Sequence, residues 1–228
     1  MSRKKSPKQY LNLAGDQTML EATLTRVADG RELRVAPPVV VCAAGHEDEV
    51  RRHAATAGVE LGDIILEPMG RNTAPVAAIA AAHIRAVDPD GLILLTPADQ
   101  HIGDPDGFWT AIAKGVSAAK DGHLVTLGLN PTRAEIGYGY IERGAALNPE
   151  AGDDTFQVKC FREKPDLATA TKYLADGNFF WNAGIFLFGA DAMDQEMKTH
   201  APEISQVSLA ALAAAARDNG TILLDPKI

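Results

Sequence analysis

Two short polar segments, each directly after an apolar run, carry side chains that could bind a ligand. The first covers residues 67–75 and reads Glu-Pro-Met-Gly-Arg-Asn-Thr-Ala-Pro, and the second covers residues 94–101. The runs that lead into them, 63–66 and 92–95, have the apolar composition of buried strands. Ligands in open α/β sheets bind beyond the carboxyl ends of such strands. The two segments therefore predict a ligand site at one end of a sheet.

The first segment has the chemistry of a helix start that faces an anion. Asn72 and Thr73 are residues that cap helices, and Pro75 suits a first turn that needs no amide donor. Free amides at a helix terminus, together with Arg71, favour a nucleotide phosphate or a base edge. The alternative is a plain capped helix over residues 74–87 that packs its alanines on the sheet.

Asp99 in the second segment follows a predicted strand and Pro97. A carboxylate at such a position is solvated enough to hold Mg²⁺, which prefers one or two carboxylates together with substrate phosphate oxygens. A turn residue is the alternative interpretation of a lone Asp after a strand. The presence of the neighbouring polar segment favours the metal.

The elements that would position these groups alternate along the first half of the chain. Thr18 and Glu21 have the spacing of a capping box, which predicts a helix that ends near Gly30. Continuous apolar strands between helices of 10 to 15 residues predict an α/β fold with a mainly parallel sheet covered on both faces. The further predicted helices are 47–57, 74–87 and 107–120, and the predicted strands are 38–43, 63–66, 92–95 and 123–128.

After Gly128 the pattern changes to shorter strands with irregular connections, typical of a mixed sheet. We predict strands over 138–141, 156–163 and 184–188, a helix capped by Asp166, and an alanine-rich helix over 204–217 that Asn219-Gly220 ends. Glu163 and Lys164 are neighbours on a strand, so their side chains should point to opposite faces and form no ion pair unless a bulge or the strand end redirects one.

Composition limits the class of protein. The chain has 228 residues, of which 46% are hydrophobic, and this is enough for one domain with a substantial core. The formal net charge of −8 and the lack of a basic stripe argue against nucleic acid. There is no G-x-x-x-x-G-K-[ST] or G-x-G-x-x-G motif, so neither a P-loop NTPase nor a dinucleotide oxidoreductase is indicated.

The sequence shows no targeting signal and has two cysteines, and both observations favour the cytoplasm. No basic and apolar leader opens the sequence, and no apolar run approaches the ~18 residues of a membrane span, so we expect a cytoplasmic protein without a membrane partner. Cys42 and Cys160 both lie in apolar runs and are expected to be buried free thiols.

Several motifs together resemble the mannose-1-phosphate guanylyltransferase family of sugar-phosphate nucleotidyltransferases. Gly-Arg-Asn-Thr-Ala-Pro is followed by Pro-Ala-Asp at 97–99, and residues 131–141 are similar to the family's sugar-binding PTRPETGYGYI stretch. Residues 161–166 are similar to its F-x-EKPD motif, and residues 181–188 to its WNSGMFLF motif. The resemblance extends from Ser2 to about Lys227.

The resemblance implies a Rossmann-like nucleotidyltransferase fold and the synthesis of GDP-mannose from GTP and mannose 1-phosphate, with Mg²⁺ as cofactor. It implies catalytic roles for Lys8, Asp99 and Lys164, with Asp99 as the metal ligand. The implied nucleotide-binding residues are Arg71, Asn72, Thr73, Pro97 and Ala98, and the implied sugar-binding residues are Gly139, Glu163, Asn182 and Gly184.

Two family segments have no counterpart in the sequence. These are the glycine-rich G-G-x-G-[ST]-R-L-x-P segment with the first strand, and the S-x-D-Y segment with a second metal-binding Asp. We therefore expect one incomplete nucleotidyltransferase domain over 1–228, with a nucleotide-binding part over about 1–128 and a sugar-binding part over about 129–228. The alternatives are a non-catalytic remnant that binds sugar nucleotides and a nucleotidyltransferase for another hexose 1-phosphate. The sequence leaves homo-oligomerisation open.

Overall fold

The computed structural model describes residues 7–13, 15–70, 72–148 and 154–225 of the chain. The helices are α1 (Met19–Asp29), α2 (Glu47–Ala57), α3 (Thr73–Val87), α4 (Pro105–Lys120), α5 (Leu167–Asp176), α6 (Ala190–His200) and α7 (Pro202–Ala213). The strands are β1 (Val40–Ala43), β2 (Ile64–Glu67), β3 (Leu92–Leu95), β4 (Val125–Leu129), β5 (Gly139–Ala146), β6 (Phe156–Glu163), β7 (Phe179–Gly189), β8 (Ala216–Asp218) and β9 (Thr221–Leu223).

The chain divides into two compact units that interleave along the sequence. Unit 1 contains residues 1–91, 97–109 and 190–228, and unit 2 contains residues 92–96 and 110–189. The boundaries of these two units differ from the predicted boundary near residue 128 between a nucleotide-binding and a sugar-binding part. The single incomplete domain remains a prediction.

The sheet of unit 1 has the strand order β1-β2-β9-β8. β1, β2 and β9 run parallel, with Ile64 opposite Val40 on one side and Thr221 on the other, whereas β8 and β9 are antiparallel. β1 therefore forms one edge of this sheet among the strands that the structure describes.

Alternation along β2 explains why helices cover both faces of this sheet. Ile64 and Leu66 pack with Leu20 of α1 and Val50 of α2, whereas Ile65 points to the other face. There it packs with residues of α3, α7 and β9, which are Ile79, Ala211, Leu212 and Ile222. The predicted α/β class with two covered faces is confirmed.

A buried polar network fixes α1 against α2. The predicted capping box is present, because Thr18 Oγ1 accepts from the amide of Glu21 and Glu21 Oε2 accepts from the amide of Thr18 at 2.8 Å. The other carboxylate oxygen of Glu21 lies 2.7 Å from Nδ1 of His53 in α2. Burial by itself would raise the pKa of Glu21, but the hydrogen bonds from His53 and Thr18 hold this pKa below its usual value.

This network predicts an acid-sensitive contribution to stability. Because the folded-state pKa of Glu21 is lowered, its ionised form stabilises the fold above the unfolded-state pKa of about 4.3, and this contribution is lost as the pH falls through the folded value. We expect Glu21→Gln to be less stable than the parent at pH 7 and to lose less stability between pH 5 and pH 3. Urea unfolding at a series of pH values measures both effects. Parallel pH profiles for the two proteins would contradict the prediction.

The sheet of unit 2 is antiparallel and is organised around the long strand β7. Its order is β3-β7-β5-β6, and β4 also pairs with β7. β7 thus contacts three strands, with Ile93 of β3 opposite Phe188 and Tyr140 of β5 opposite Trp181. Among the described strands, only those of unit 1 pair in parallel, so fewer strand pairs are parallel than the run of apolar strands predicted. The reason is that β7 pairs antiparallel with β3, β4 and β5.

Among the described strands of unit 2, β6 lies at the edge of the sheet, and it exposes much of its surface. Phe156, Val158 and Phe161 are all more than a third exposed. α5 covers a separate part of the unit, where Ala170 and Tyr173 pack with Tyr140 and Trp181. Asp166 caps this helix by accepting from the amide of Thr169, as predicted.

Two local predictions were wrong. The alanine-rich helix α7 ends at Ala213, and the following residues form a β8-β9 hairpin whose turn is Asn219-Gly220. Both turn residues have positive φ, 45° and 75°, which is the conformation that Asn-Gly favours in two-residue hairpins. The two cysteines are free as expected but only partly buried.

Within the described parts of the chain, no helix combines the length and apolar character needed to cross a membrane.

Candidate functional site

In unit 1, Lys8 and Asp99 lie together. Lys8 belongs to a short 3-10 segment, Lys8–Tyr10, and its Nζ is 3.5 Å from Oδ2 of Asp99. Both side chains are close to half exposed, so the carboxylate and the ammonium remain accessible to a ligand. The structure thus brings together the residue predicted to bind a metal and another of the residues predicted to be catalytic.

A cavity of about 190 Å³ adjoins this pair in unit 1. Its lining includes Asp99, Ala98, Tyr10 and Cys42 together with apolar residues of α1, α2 and β1. Burial raises the pKa of Cys42 to about 11, and the nearby carboxylates of Glu47 and Glu67 add to this effect. The thiol therefore stays protonated at neutral pH and is not a nucleophile there.

The remaining predicted nucleotide-binding residues differ in placement. Pro97 and Ala98 precede Asp99, and Ala98 packs partly buried against the core of unit 1. Asn72 is the N-cap residue of α3 with φ 64°, but its side chain accepts no capping hydrogen bond, so the predicted side-chain cap was wrong. The positive φ turns Asn72 away from the extended geometry in which a capping side chain reaches the helix amides. Thr73 is the first residue of α3, and Arg71 lies outside the described residues.

In unit 2, the four predicted sugar-binding residues lie where the start of β5 and the end of β6 adjoin the middle of β7, and they are here called the strand-end cluster: Gly139, Glu163, Asn182 and Gly184. Gly139 at the start of β5 is the register partner of Glu163 at the end of β6. A Cβ on Gly139 would lie 2.8 Å from Oε2 of Glu163 and 3.6 Å from Cβ of Asn182. The absence of a side chain on Gly139 thus lets the carboxylate of Glu163 approach its backbone beside Cβ of Asn182.

Gly184 determines the local shape of β7. It has φ 67°, which favours glycine, and it lies where the register of β4 and β7 shifts between the pairs Thr126–Phe186 and Gly128–Asn182. Oδ1 of Asn182 accepts from the amide of Gly184 at 2.9 Å and from Oγ1 of Thr126 at 3.4 Å. These bonds orient the amide and leave its NH₂ group without a partner among the described residues, so it can donate to a ligand.

Glu163 and Lys164 form an ion pair, which is the exception that the prediction allowed for a residue at a strand end. Nζ of Lys164 is 3.0 Å from Oε1 of Glu163, and the two side chains are 65% and 70% exposed. Lys164 follows the last residue of β6 and has φ 42°. This left-handed residue ends the strand geometry, so the alternation of side chains no longer applies to it. An exposed carboxylate and an ammonium therefore lie side by side at the strand-end cluster.

Sequence reasoning missed three residues near this cluster. Thr126 on β4 holds Asn182, and the guanidinium of Arg133 lies 5.5 Å from the ring centroid of Trp181. Tyr138 contacts the same ring edge-on at 5.3 Å. The indole Nε1 of Trp181 is buried and has no hydrogen-bond partner among the described residues. Arg133 and Tyr138 belong to the motif at 131–141, whereas no sequence pattern links Thr126 to Asn182.

The oxygen ligands available for a metal are few. Among the described residues, no group of three or more His, Cys, Asp or Glu side chains is arranged to hold a metal ion. Asp99 still fits Mg²⁺ as one ligand, since it is accessible and pairs with a single lysine. Mg²⁺ binds through one or two carboxylates plus substrate phosphates and water, so the substrate would supply most of the coordination.

Comparison with known protein families agrees with this chemistry. The profile of the nucleotidyl transferase family matches residues 1–225. A mannose-1-phosphate guanylyltransferase of Salmonella montevideo is 40% identical over 227 residues, which are 99% of this chain and 47% of that protein. The alginate biosynthesis protein AlgA of Pseudomonas aeruginosa is 38% identical over 226 residues, 99% of this chain and 46% of the relative. The chain spans about half the length of the curated relatives it matches.

Two solved structures have similar folds. A structure described as mannose-6-phosphate isomerase from Helicobacter pylori superimposes with a TM-score of 0.82 and 28% identity, over 97% of this chain and 82% of that one. A structure described as mannose-1-phosphate geranyltransferase from Thermus thermophilus gives a TM-score of 0.79 and 29% identity, over 98% and 68% of the two chains. The predicted nucleotidyltransferase fold and the predicted resemblance are confirmed.

Proposed function

Because the chain belongs to the nucleotidyl transferase family, we propose that it transfers GMP from GTP to mannose 1-phosphate and releases pyrophosphate, so that GDP-mannose is formed. One observation carries the choice of a sugar substrate: the strand-end cluster gathers a carboxylate, an oriented amide and a glycine without a side chain. Relatives named mannose-1-phosphate guanylyltransferase, about 40% identical, support mannose and guanine.

The residues of the strand-end cluster fit the hydroxyl groups of a hexose. Glu163 offers carboxylate oxygens as acceptors, and the NH₂ group of Asn182 is a donor held in place through its own oxygen. Gly139 and Gly184 let the sugar approach the backbone closely. Lys164, beside Glu163, is the cation that would meet the sugar phosphate.

The residues of unit 1 fit the phosphates of a nucleotide. Lys8 carries an exposed ammonium that can donate to phosphate oxygens, and Asp99 would hold Mg²⁺. Asn72 and Thr73 stand at the start of α3, where helix amides favour an anion, and Arg71 precedes them. Bound Mg²⁺ would neutralise charge on the triphosphate during the transfer.

The proposed reaction needs no nucleophile from the protein. A phosphate oxygen of mannose 1-phosphate attacks the α-phosphorus of GTP in line, the bond to the bridging oxygen breaks, and pyrophosphate leaves with the electron pair. Positioning and charge neutralisation are the main contributions of a protein to such a transfer. Lysines, a carboxylate for a metal, and helix amides are the groups that this role requires.

The direct test is pyrophosphate release by the purified chain with Mg²⁺, mannose 1-phosphate and each of the four nucleoside triphosphates, with glucose 1-phosphate as the second acceptor. We expect release only with GTP and mannose 1-phosphate, together with GDP-mannose in the product. Turnover with another pair would assign a different nucleotidyltransferase. Binding of GDP-mannose by a folded chain without turnover would support a non-catalytic sugar-nucleotide-binding protein.

Gly139→Ala tests the sugar-binding role of the strand-end cluster. The new Cβ would meet Oε2 of Glu163 at 2.8 Å, so the carboxylate must move away from its position. We expect KM for mannose 1-phosphate to rise by roughly tenfold, which corresponds to about 1.4 kcal/mol, while KM for GTP stays within about twofold of the parent value because the change lies in the sugar-binding part.

Gly189→Ala is the matched control, because the added Cβ would have its nearest neighbours at 3.9 and 4.0 Å, which is ordinary contact. Steady-state kinetics of the two variants with each substrate varied in turn gives the comparison. Equal effects of Gly139→Ala on both Michaelis constants would argue against a sugar-specific role.

A further inference from the structure

The ion pair of Lys8 with Asp99 is too exposed to fix the position of Lys8 by itself. The two side chains are 44% and 48% exposed. Solvent screens such pairs, so the contact with Asp99 alone would not hold the lysine in one place. The position of Lys8 must therefore come from the 3-10 segment that carries it, Lys8–Tyr10.

The backbone of this segment is attached to the start of α1. The amide of Tyr10 donates to the carbonyl of Pro7, and the amide of Leu11 donates to the carbonyl of Lys8, both at 3.1 Å. The carbonyl of Leu11 accepts from the amide of Met19, the first residue of α1, at 3.2 Å. The hydrogen-bond geometry of a 3-10 turn is poor, so the turn also depends on side-chain packing.

The ring of Tyr10 supplies this packing. It stacks on the imidazole of His53 in α2, with centroids 5.4 Å apart and ring planes within 8° of parallel. It also contacts the ring of His46 at 5.4 Å with a tilt of 31°, and it packs against the core that contains Leu20 and Val50. Stacked rings contribute beyond the area that they bury. Two imidazoles and apolar side chains thus hold the ring of Tyr10.

His53 is itself a rigid support. It is 3% exposed, and its Nδ1 lies 2.7 Å from Oε1 of Glu21 and 3.4 Å from Oγ1 of Thr18. Thr18 and Glu21 also form the capping box at the start of α1. A continuous series of contacts therefore runs from α1 and α2 through the ring of Tyr10 to Lys8.

We propose that Tyr10 is a positioning residue for the nucleotidyl transfer, because its ring, stacked on His53, holds Lys8 beside Asp99. The hydroxyl oxygen of Tyr10 is buried, and burial raises its pKa to about 12, so this group neither faces solvent nor carries a charge that could pair with Lys8. Tyr10 itself would not touch a substrate. The inference rests on the proposed function, since Lys8 is the residue through which Tyr10 would act.

A double-mutant cycle with Lys8→Ala tests this role. We expect Tyr10→Leu, which removes the stacked ring, to lower kcat/KM for GTP roughly tenfold in the parent and by less than about twofold in Lys8→Ala, because residues that act through one another are not additive. Tyr10→Phe keeps the ring and should restore kcat/KM to within about twofold of the parent. A merely structural role of Tyr10 would lower kcat/KM by the same factor in both backgrounds.

Val50→Ala is the matched control. Val50 is 1% exposed and belongs to the core cluster on which Tyr10 packs, but it supplies no ring to the segment. Any loss of kcat/KM in Val50→Ala should have the same factor with and without Lys8→Ala. Equal factors for Tyr10→Leu in the two backgrounds, or an equal loss in Tyr10→Phe, would overturn the inference.

Hydrogen exchange of the Leu11 amide, followed by NMR without substrates, tests the same contact independently of turnover. This amide donates to the carbonyl of Lys8, so its exchange reports on the turn. We expect exchange roughly tenfold faster in Tyr10→Leu than in the parent, and an unchanged rate in Tyr10→Phe. Unchanged exchange in Tyr10→Leu would overturn the inference and leave the proposed reaction standing. Faster exchange in a chain without turnover would leave the role of Tyr10 in holding Lys8 standing and count against the proposed reaction.

Discussion

Replacing Asp99 by Asn is expected to lower the Mg²⁺-dependent rate of GDP-mannose formation by roughly 100-fold or more. A bound metal stabilises the charge of a transition state by several kcal/mol, and each ~1.4 kcal/mol is a factor of ten in rate. The neutral amide is a poor ligand for Mg²⁺ compared with a carboxylate. The rate with saturating GTP and mannose 1-phosphate, measured over a range of Mg²⁺ concentrations, gives the effect.

The same substitution should leave the fold intact. The pair of Lys8 and Asp99 is close to half exposed on both sides, and exposed ion pairs contribute only about 0–1 kcal/mol. Asp90→Asn, at an exposed turn position, controls for the loss of one negative charge. A rate within a few-fold of the parent for Asp99→Asn, with an unchanged dependence on Mg²⁺, would rule out Asp99 as the metal ligand.

Phe188→Ala is expected to destabilise the protein by about 3–5 kcal/mol, which is the usual cost of removing a buried Phe. Phe188 is 0% exposed and lies on β7 opposite Ile93, in the strand that joins β3, β4 and β5. Typical proteins are stable by only about 5–15 kcal/mol, so this loss is a large part of the total. Urea unfolding followed by circular dichroism measures it.

Phe161→Ala provides the matched comparison in the same unit. Phe161 is 52% exposed on β6, so its truncation should cost about 1 kcal/mol or less. A similar loss for both variants would mean that burial does not decide the contribution of these two phenylalanines, and that β7 is not the structural centre of unit 2.

The sequence was sufficient for elements whose signals are local. Residues 47–57 and 156–163 form α2 and β6 with the predicted bounds, and the capping box at Thr18 is present. The residues of the strand-end cluster were also chosen from motifs in the sequence. In the structure, two of them, Gly139 and Glu163, are register partners. These features depend on periodicity, on capping chemistry or on a family motif, all of which can be read from the chain.

The remaining features depend on long-range pairing or on one backbone angle. β7 extends from 179 to 189 because three other strands pair with it, and strand partners are not encoded in local composition. The ion pair of Glu163 and Lys164 depends on the positive φ of Lys164. The Asn219-Gly220 dipeptide was interpreted as a helix end although it also favours a hairpin, and only the pairing of β8 with β9 distinguishes the two.

The exposed edge of unit 2 has a consequence for how the protein behaves at high concentration. An eight-residue edge strand with three exposed apolar side chains is a template on which another chain can add a strand, the first step of fibrillar aggregation. Lys159 and Arg162 place positive charges among the apolar residues of β6. These charges repel the same strand of an approaching copy and so act against strand addition. Lys159 is paired with Glu142, and Arg162 also lies near this carboxylate. High salt screens the charges of both cations and therefore favours aggregation during refolding.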